Sequence, residues 1–89
     1  MHDFSVEEGL RKTLDRLYKR DRQTYERVMS KIDEIVSCED VDHYKNLRKP
    51  LQEFKRVHVG VWILLFRYSD DKLIFVKLEH HDDAYLADR

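Results

Sequence analysis

Arg56, His58, Arg67, His80, His81 and Tyr85 are the residues of this chain whose types suit acid–base chemistry on an anion. Arg56 and His58 sit in FKRVHVGVWILLFRY (54–68), a stretch of strand character whose leading part alternates. Alternation places both on one face, with Val57 and Val59 on the other. Arg67 falls near the end of the next strand, and His80, His81 and Tyr85 follow the last one. In an antiparallel meander the start of one strand lies near the end of its neighbour, so imidazoles, guanidinium groups and a phenol come within reach of one another. Such a set suits metal-free RNA cleavage. A general base takes the 2′-hydroxyl proton, cations stabilise the pentavalent phosphate, and an acid protonates the departing 5′-oxygen. The competing reading is a group of surface histidines beside a solvated acidic turn.

Metal binding is the other chemistry these types allow. His80-His81-Asp82-Asp83 offers four ligand types in a row. Neighbouring side chains on a strand point to opposite faces, however, and no H-x-x-x-H or C-x-x-C spacing supports them. No metal and no cofactor is expected. Cys38 is the single cysteine of the 89 residues, so no internal disulfide forms, in keeping with a reducing cytosol.

The elements that must position these groups follow from periodicity. Ser5 and Glu8 form an S-x-x-E capping box, which predicts a helix from about Val6. Leu10, Leu14, Leu17 and Tyr18 give it one apolar face. Asp21 caps a second helix, in which Tyr25, Val28, Met29, Ile32, Ile35 and Val36 repeat at helical spacing. The two stripes read as an αα-hairpin packing on a sheet. An acidic linker, 37–42, leads to a segment ended by Pro50, with Leu47 and Leu51 anchoring a loop. After Gly60, a turn or bulge between two strands, the alternation stops and 61–66 is apolar on both faces, as in a central strand covered on both sides. Ser69 to Lys72 is a hairpin turn and Leu73 to Leu78 the last strand. The expected architecture is α+β: one domain over 1–89, a helical hairpin packed on a small antiparallel sheet.

Charge is distributed unevenly. The chain carries 39% charged residues and a net charge of −1, and it has no apolar run near the ~20 residues of a membrane span. Between Lys45 and Arg67, however, stand six basic residues against one acid. A local excess of this kind is the footprint of an anion-binding surface.

The chain resembles the RelE/ParE superfamily of small toxins from toxin–antitoxin pairs. In that family a helical hairpin precedes a stretch like L-x-G-x-x-x-x-R-v-R-v-G-d-Y-R-v-i-Y, and a closing H-R-x-x-v-Y follows. Here KPLQEFKRVHVGVWILLFRY and DDKLIFVKLEHHDDAYL stand in those places. Arg56, Val57, Val59 and Gly60 match the R-v-x-v-G core, Trp62 the aromatic after it, Phe66 the later tyrosine, His80 the closing histidine and Tyr85 the terminal tyrosine. The opening FSVEEGLRKTLDRL is similar to the family's first helix, with a first strand that is short or missing. Three positions depart: Ile63 stands for the arginine of d-Y-R, His58 for the second arginine of R-v-R, and His81 for the arginine of H-R.

The resemblance implies a ribosome-dependent mRNA endoribonuclease, metal-free and cytoplasmic, that leaves a 2′,3′-cyclic phosphate. It assigns His58 and His80 or His81 to proton transfer and Tyr85 to stacking or orientation of the nucleotide. Lys49, Lys55, Arg56 and Arg67 would bind phosphate. The implied partners are mRNA on the ribosome and a cognate acidic, RelB-like antitoxin in a hetero-oligomer, one basic surface serving both. Loss of the arginine at Ile63 favours an alternative: a ParE-like or degenerate member that binds gyrase or only its antitoxin and cuts no RNA.

Overall fold

The computed structural model describes residues 2–44 and 54–80. Its elements are β1 (Asp3–Val6), α1 (Glu8–Arg20), α2 (Arg22–Ser37), a 3-10 turn (Val41–His43), β2 (Lys55–Val59), β3 (Trp62–Ser69) and β4 (Lys72–His80). The four strands form one mixed sheet in the order β1-β4-β3-β2, with β1 parallel to β4 and the other pairs antiparallel. The expected α+β domain, two helices packed on a small sheet, is what the chain forms. The first strand is present and short.

That strand overturns the capping box. Ser5 lies inside β1, paired with Ile74, and α1 starts at Glu8 after Glu7, which makes no side-chain cap bond. Phe4 and Val6 flank Ser5 and pair with Leu73 and Phe75, so pairing with β4 claims the residues that local signals assign to a helix start. The second cap is as expected. Asp21 accepts from the Thr24 backbone N–H at 3.2 Å and from its hydroxyl at 2.6 Å. These two bonds hold the Asp21 carboxyl below its usual range.

Both helical stripes land on the sheet except at Tyr18, which stays exposed and meets the Tyr25 ring edge-on. Leu10, Leu14, Val28, Ile32, Ile35 and Val36 are buried against Val59, Leu64, Phe66, Leu73, Phe75 and Leu78. Val41 joins this core, so the acidic linker is pinned near its far end. Pro50, Leu47 and Leu51, expected to anchor a loop, lie outside the described residues.

Both turns use left-handed backbone. Gly60 (φ 62°) opens the two-residue connection to β3, and Asp70 (φ 54°) and Asp71 (φ 63°) form the β3–β4 turn. Positive φ at both central residues is the type I′ geometry that matches strand twist, and aspartate tolerates it better than most side chains.

Far from the turn in sequence, His2 reaches it. Its Nδ1 lies 3.1 Å from Asp71 Oδ1 and its Nε2 2.6 Å from the Cys38 carbonyl oxygen, so one ring ties β1 to the end of α2 and to the hairpin. Tyr68 donates its hydroxyl to the same carboxylate at 2.9 Å. The Tyr68 bond, then the His2 bond, lower the Asp71 pKa from its ordinary 3.8. A lowered carboxylate pKa stabilises the fold above the unfolded value, and that contribution disappears as pH falls through the folded value.

Two outcomes follow. Asp71→Asn lowers Tm at neutral pH, and its deficit against the parent closes in acid titration below the ordinary carboxylate range. Phe75→Ala, at a fully buried ring packed on Phe4 and Phe66, costs about 3–5 kcal/mol in urea unfolding.

Candidate active site

The site is built on the sheet face turned away from the helices. On β2 and β3, alternation sends Val57, Val59, Trp62, Leu64 and Phe66 to the helices. Arg56, His58, Ile63, Leu65 and Arg67 take the opposite face. There Ile63, Leu65 and Phe54 form a second, smaller apolar cluster, with Ile63 at 1% and Leu65 at 8% exposure. The central strand is therefore buried on both sides, as its unbroken apolar run requires.

A bulge sets what β4 adds. Leu65 pairs with Lys77 but Phe66 pairs with Phe75, so Val76 is an extra residue and the register shifts between Leu65 and Phe66. Before the bulge Leu73 and Phe75 face the helices; after it Leu78 does. An extra residue reverses the alternation, and bulges commonly re-aim side chains beside functional sites. Lys77 and Glu79 thereby join Arg56 and His58 on the open face.

Two cross-strand rows result. One runs His58–Ile63–Glu79 and the next Arg56–Leu65–Lys77. Strand spacing makes the outer backbones of each row about 10 Å apart, with the buried Ile63 and Leu65 between them. Lys77 Nζ lies 2.6 Å from Glu79 Oε1, and Glu79 is only 11% exposed. Its Oε2 is buried with no hydrogen-bond partner among the described residues, a costly state for a carboxylate oxygen. Arg67 flanks the rows from the other end. Its Nη2 is 3.6 Å from Glu7 Oε1, its guanidinium carbon 5.7 Å from the Phe54 ring centroid, and its Nε is also buried with no partner among the described residues.

The expected site residues divide accordingly. Arg56, His58 and Arg67 share the open face. His80 does not join them: it pairs with Trp62 and meets that ring edge-on at 5.7 Å, on the helix side. The meander brings the strand ends together, yet the register sends His58 and His80 to opposite faces.

Lys55 has a different task from the phosphate contact expected of it. It is 6% exposed on the helix side, with Nζ 3.6 Å from Asp42 Oδ1 and 3.3 Å from the Tyr44 carbonyl oxygen, to which it donates. It clamps the 3-10 turn to β2. Lys49, His81 and Tyr85 lie outside the described residues. Lys77 and Glu79 were missed because uninterrupted alternation from Phe75 puts both in the core. Two charges at core parity were the available sign of a bulge. No group of three or more metal-ligating side chains occurs among the described residues.

Comparison with known proteins bears on this geometry. No protein-family model matches the chain. A Methanocaldococcus jannaschii protein named "Putative toxin RelE4" is 38% identical over 88 residues, covering 96% of this chain and 92% of the relative. Among solved structures, HP0894 of Helicobacter pylori superposes with a TM-score of 0.67 at 19% identity, over 92% of this chain and 97% of that one. The Escherichia coli DinJ–YafQ complex gives a TM-score of 0.63 at 20% identity, over 96% and 99%.

If the open face binds a polyanion, Arg56→Ala and Lys77→Ala each weaken binding of a single-stranded RNA oligonucleotide. Each also flattens the dependence of log affinity on log salt by about 0.7. Lys55→Met leaves that slope unchanged. Anisotropy titrations over a salt series measure all three.

Proposed function

Because the chain belongs to the RelE/ParE superfamily of toxins from toxin–antitoxin systems, we propose that it is a ribosome-dependent mRNA endoribonuclease, cytoplasmic and neutralised by a cognate acidic antitoxin. The observation that carries this reading is the convergence of Arg56, His58, Lys77, Arg67 and Glu79 on one sheet face over the aliphatic floor of Ile63 and Leu65. Imidazole, cations and a carboxylate on one face suit cleavage through the RNA's own 2′-hydroxyl. An antitoxin partner is supported by the relatives: YafQ has been solved bound to DinJ in a complex described as toxin–antitoxin.

In the proposed reaction His58 takes the 2′-hydroxyl proton as that oxygen attacks phosphorus. The P–O5′ bond breaks, leaving a 2′,3′-cyclic phosphate and a 5′-hydroxyl. Arg56 and Lys77 neutralise the charge that develops on the phosphate oxygens, and Glu79 orients Lys77 as a positioning residue. The acid that protonates the departing 5′-oxygen is assigned to His81, which shares sequence parity with Glu79, whereas His80 meets Trp62. Tyr85 is assigned to the nucleotide base, and Lys49 and Arg67 to flanking phosphates.

Ile63 favours a second reading. At 1% exposure it occupies the middle of the His58–Glu79 row, where the family pattern carries an arginine. A face centred on an aliphatic side chain suits a protein target such as gyrase, or the antitoxin alone.

Programmed ribosomes separate the two. Under the first reading the protein cuts mRNA in the A site, His58→Ala and His81→Ala each lose about 10²–10⁴-fold in rate, and His80→Ala stays near the parent. Equal cutting by His58→Ala overturns the assignment. Intact mRNA together with inhibited gyrase supercoiling selects the second reading.

A further inference from the structure

The open face continues past its two charged rows. Phe4 and Val6 pair with the core residues Leu73 and Phe75, so Ser5 between them takes the open face and extends a third row, Arg67–Ile74–Ser5. Glu7 follows on β1's side, its N–H donating to the Phe75 carbonyl at 2.9 Å, immediately beside the bulge. It precedes α1 but makes no side-chain cap bond there. Its half-exposed carboxylate turns instead to the sheet, with Oε1 3.6 Å from Arg67 Nη2. Phe54 closes the corner, half-buried and packed on Ile63 and Leu65, its ring centroid 5.7 Å from the Arg67 guanidinium carbon. Arg67 stands two residues along β3 from Leu65 of the Arg56–Lys77 row, roughly 7 Å away. A nucleotide whose neighbouring phosphate meets that row reaches this corner with its base.

A carboxylate at this corner repels phosphate and only accepts hydrogen bonds, so it suits the part of a nucleotide that carries donors. We infer that Glu7 is a specificity-determining residue that reads a guanine beside the scissile phosphate. The base rests against Phe54, and Arg67 orients Glu7 while keeping its flanking phosphate. Guanine is singled out by the pattern of its edge. Its N1–H and its N2 amino group are adjacent donors, which the two oxygens of one carboxylate accept together. Adenine and cytosine set a single amino group beside a bare ring nitrogen, and uracil sets a single N–H between two carbonyl oxygens. Each of these turns an acceptor towards the carboxylate. Single-stranded RNA is read in this way, by aromatic contact and by hydrogen bonds to edges that pairing leaves free. The inference rests on the reading of the open face as an RNA surface and adds which base that surface selects.

The test uses the full chain and fluorescein-labelled oligouridines that carry one guanine, one adenine or one inosine at the same internal position. Anisotropy titration of the parent is expected to favour guanine over adenine on the order of tenfold or more. Inosine, which keeps N1–H and lacks the N2 amino group, falls between them. Glu7→Gln replaces two acceptors by one acceptor and one donor, the pattern that matches adenine's amino group and N1. It is therefore expected to reverse the preference towards adenine rather than merely weaken binding, a result that a structural role of Glu7 does not produce. The position is half exposed, and an unchanged circular dichroism spectrum checks the fold. Equal affinity of the parent for the three oligonucleotides overturns the inference whatever the variant does. So does an unaltered guanine preference in Glu7→Gln, or equal loss for every base. Binding without base preference, together with cleavage of mRNA on programmed ribosomes, refutes the inference and leaves the endoribonuclease reading standing. A guanine preference that Glu7→Gln reverses, with no cleavage by any variant, does the opposite. Absence of binding by all three oligonucleotides overturns the RNA reading of the face and this inference with it.

Discussion

Burial of β3 on both faces is the constraint on which the rest of the structure depends. Leu64 and Phe66 are fully buried under the helices while Ile63 and Leu65 are buried on the other side. A strand with no solvated face must lie inside its sheet, and β3 does, between β2 and β4. Its position there leaves β2 and β1 as the edges. The polar face of β2, carrying Arg56 and His58, then borders an apolar strip that another strand flanks in turn. Without the double burial there would be no aliphatic floor for charged groups to surround.

The bulge at Val76 acts on this arrangement at its most consequential point. It lets β4 supply Phe75 and Leu78 to the same core although they stand three positions apart, a spacing that regular alternation would send to opposite faces. The same irregularity turns Lys77 and Glu79 away from the space under the helices, leaving Lys77 exposed and paired with a Glu79 that is only 11% exposed. Burying them there would cost several kcal/mol each unless paired. The hydrophobic demand of Leu78 and the solvation demand of Lys77 are met by one extra residue. Stability and candidate chemistry therefore share a cause.

Cations of one chain do different work according to the face they occupy. Lys55 and Arg56 are neighbours, yet Lys55 is sealed against Asp42 and the Tyr44 carbonyl while Arg56 belongs to the open face. Arg67 is part of a small mixed patch with Phe54 and Glu7. Arg16 and Arg20 lie on the far side, over aliphatic groups. A net charge of −1 conceals this division, because charge summed along the chain carries no information about which face a side chain takes.

Local periodicity determined a good deal. The two helical stripes, the Asp21 cap, the turn at Gly60, the hairpin at Asp70-Asp71 and the two-sided burial of β3 are all readable from residue type and spacing, because each depends on neighbours within a few positions. The shared face of Arg56 and His58 is readable for the same reason. The resemblance to RelE-like toxins was legible too, since short motifs and their separations survive in the chain order. Three things were decided only by the tertiary structure. Ser5 became a strand residue because β4 offered backbone partners that a capping box does not. Lys55 became a buried clamp because the 3-10 turn places Asp42 and a carbonyl beside it. Lys77 and Glu79 entered the candidate site, and His80 left it, because alternation along a strand reverses at a bulge, and a bulge follows from the fit between two distant strands rather than from either sequence alone.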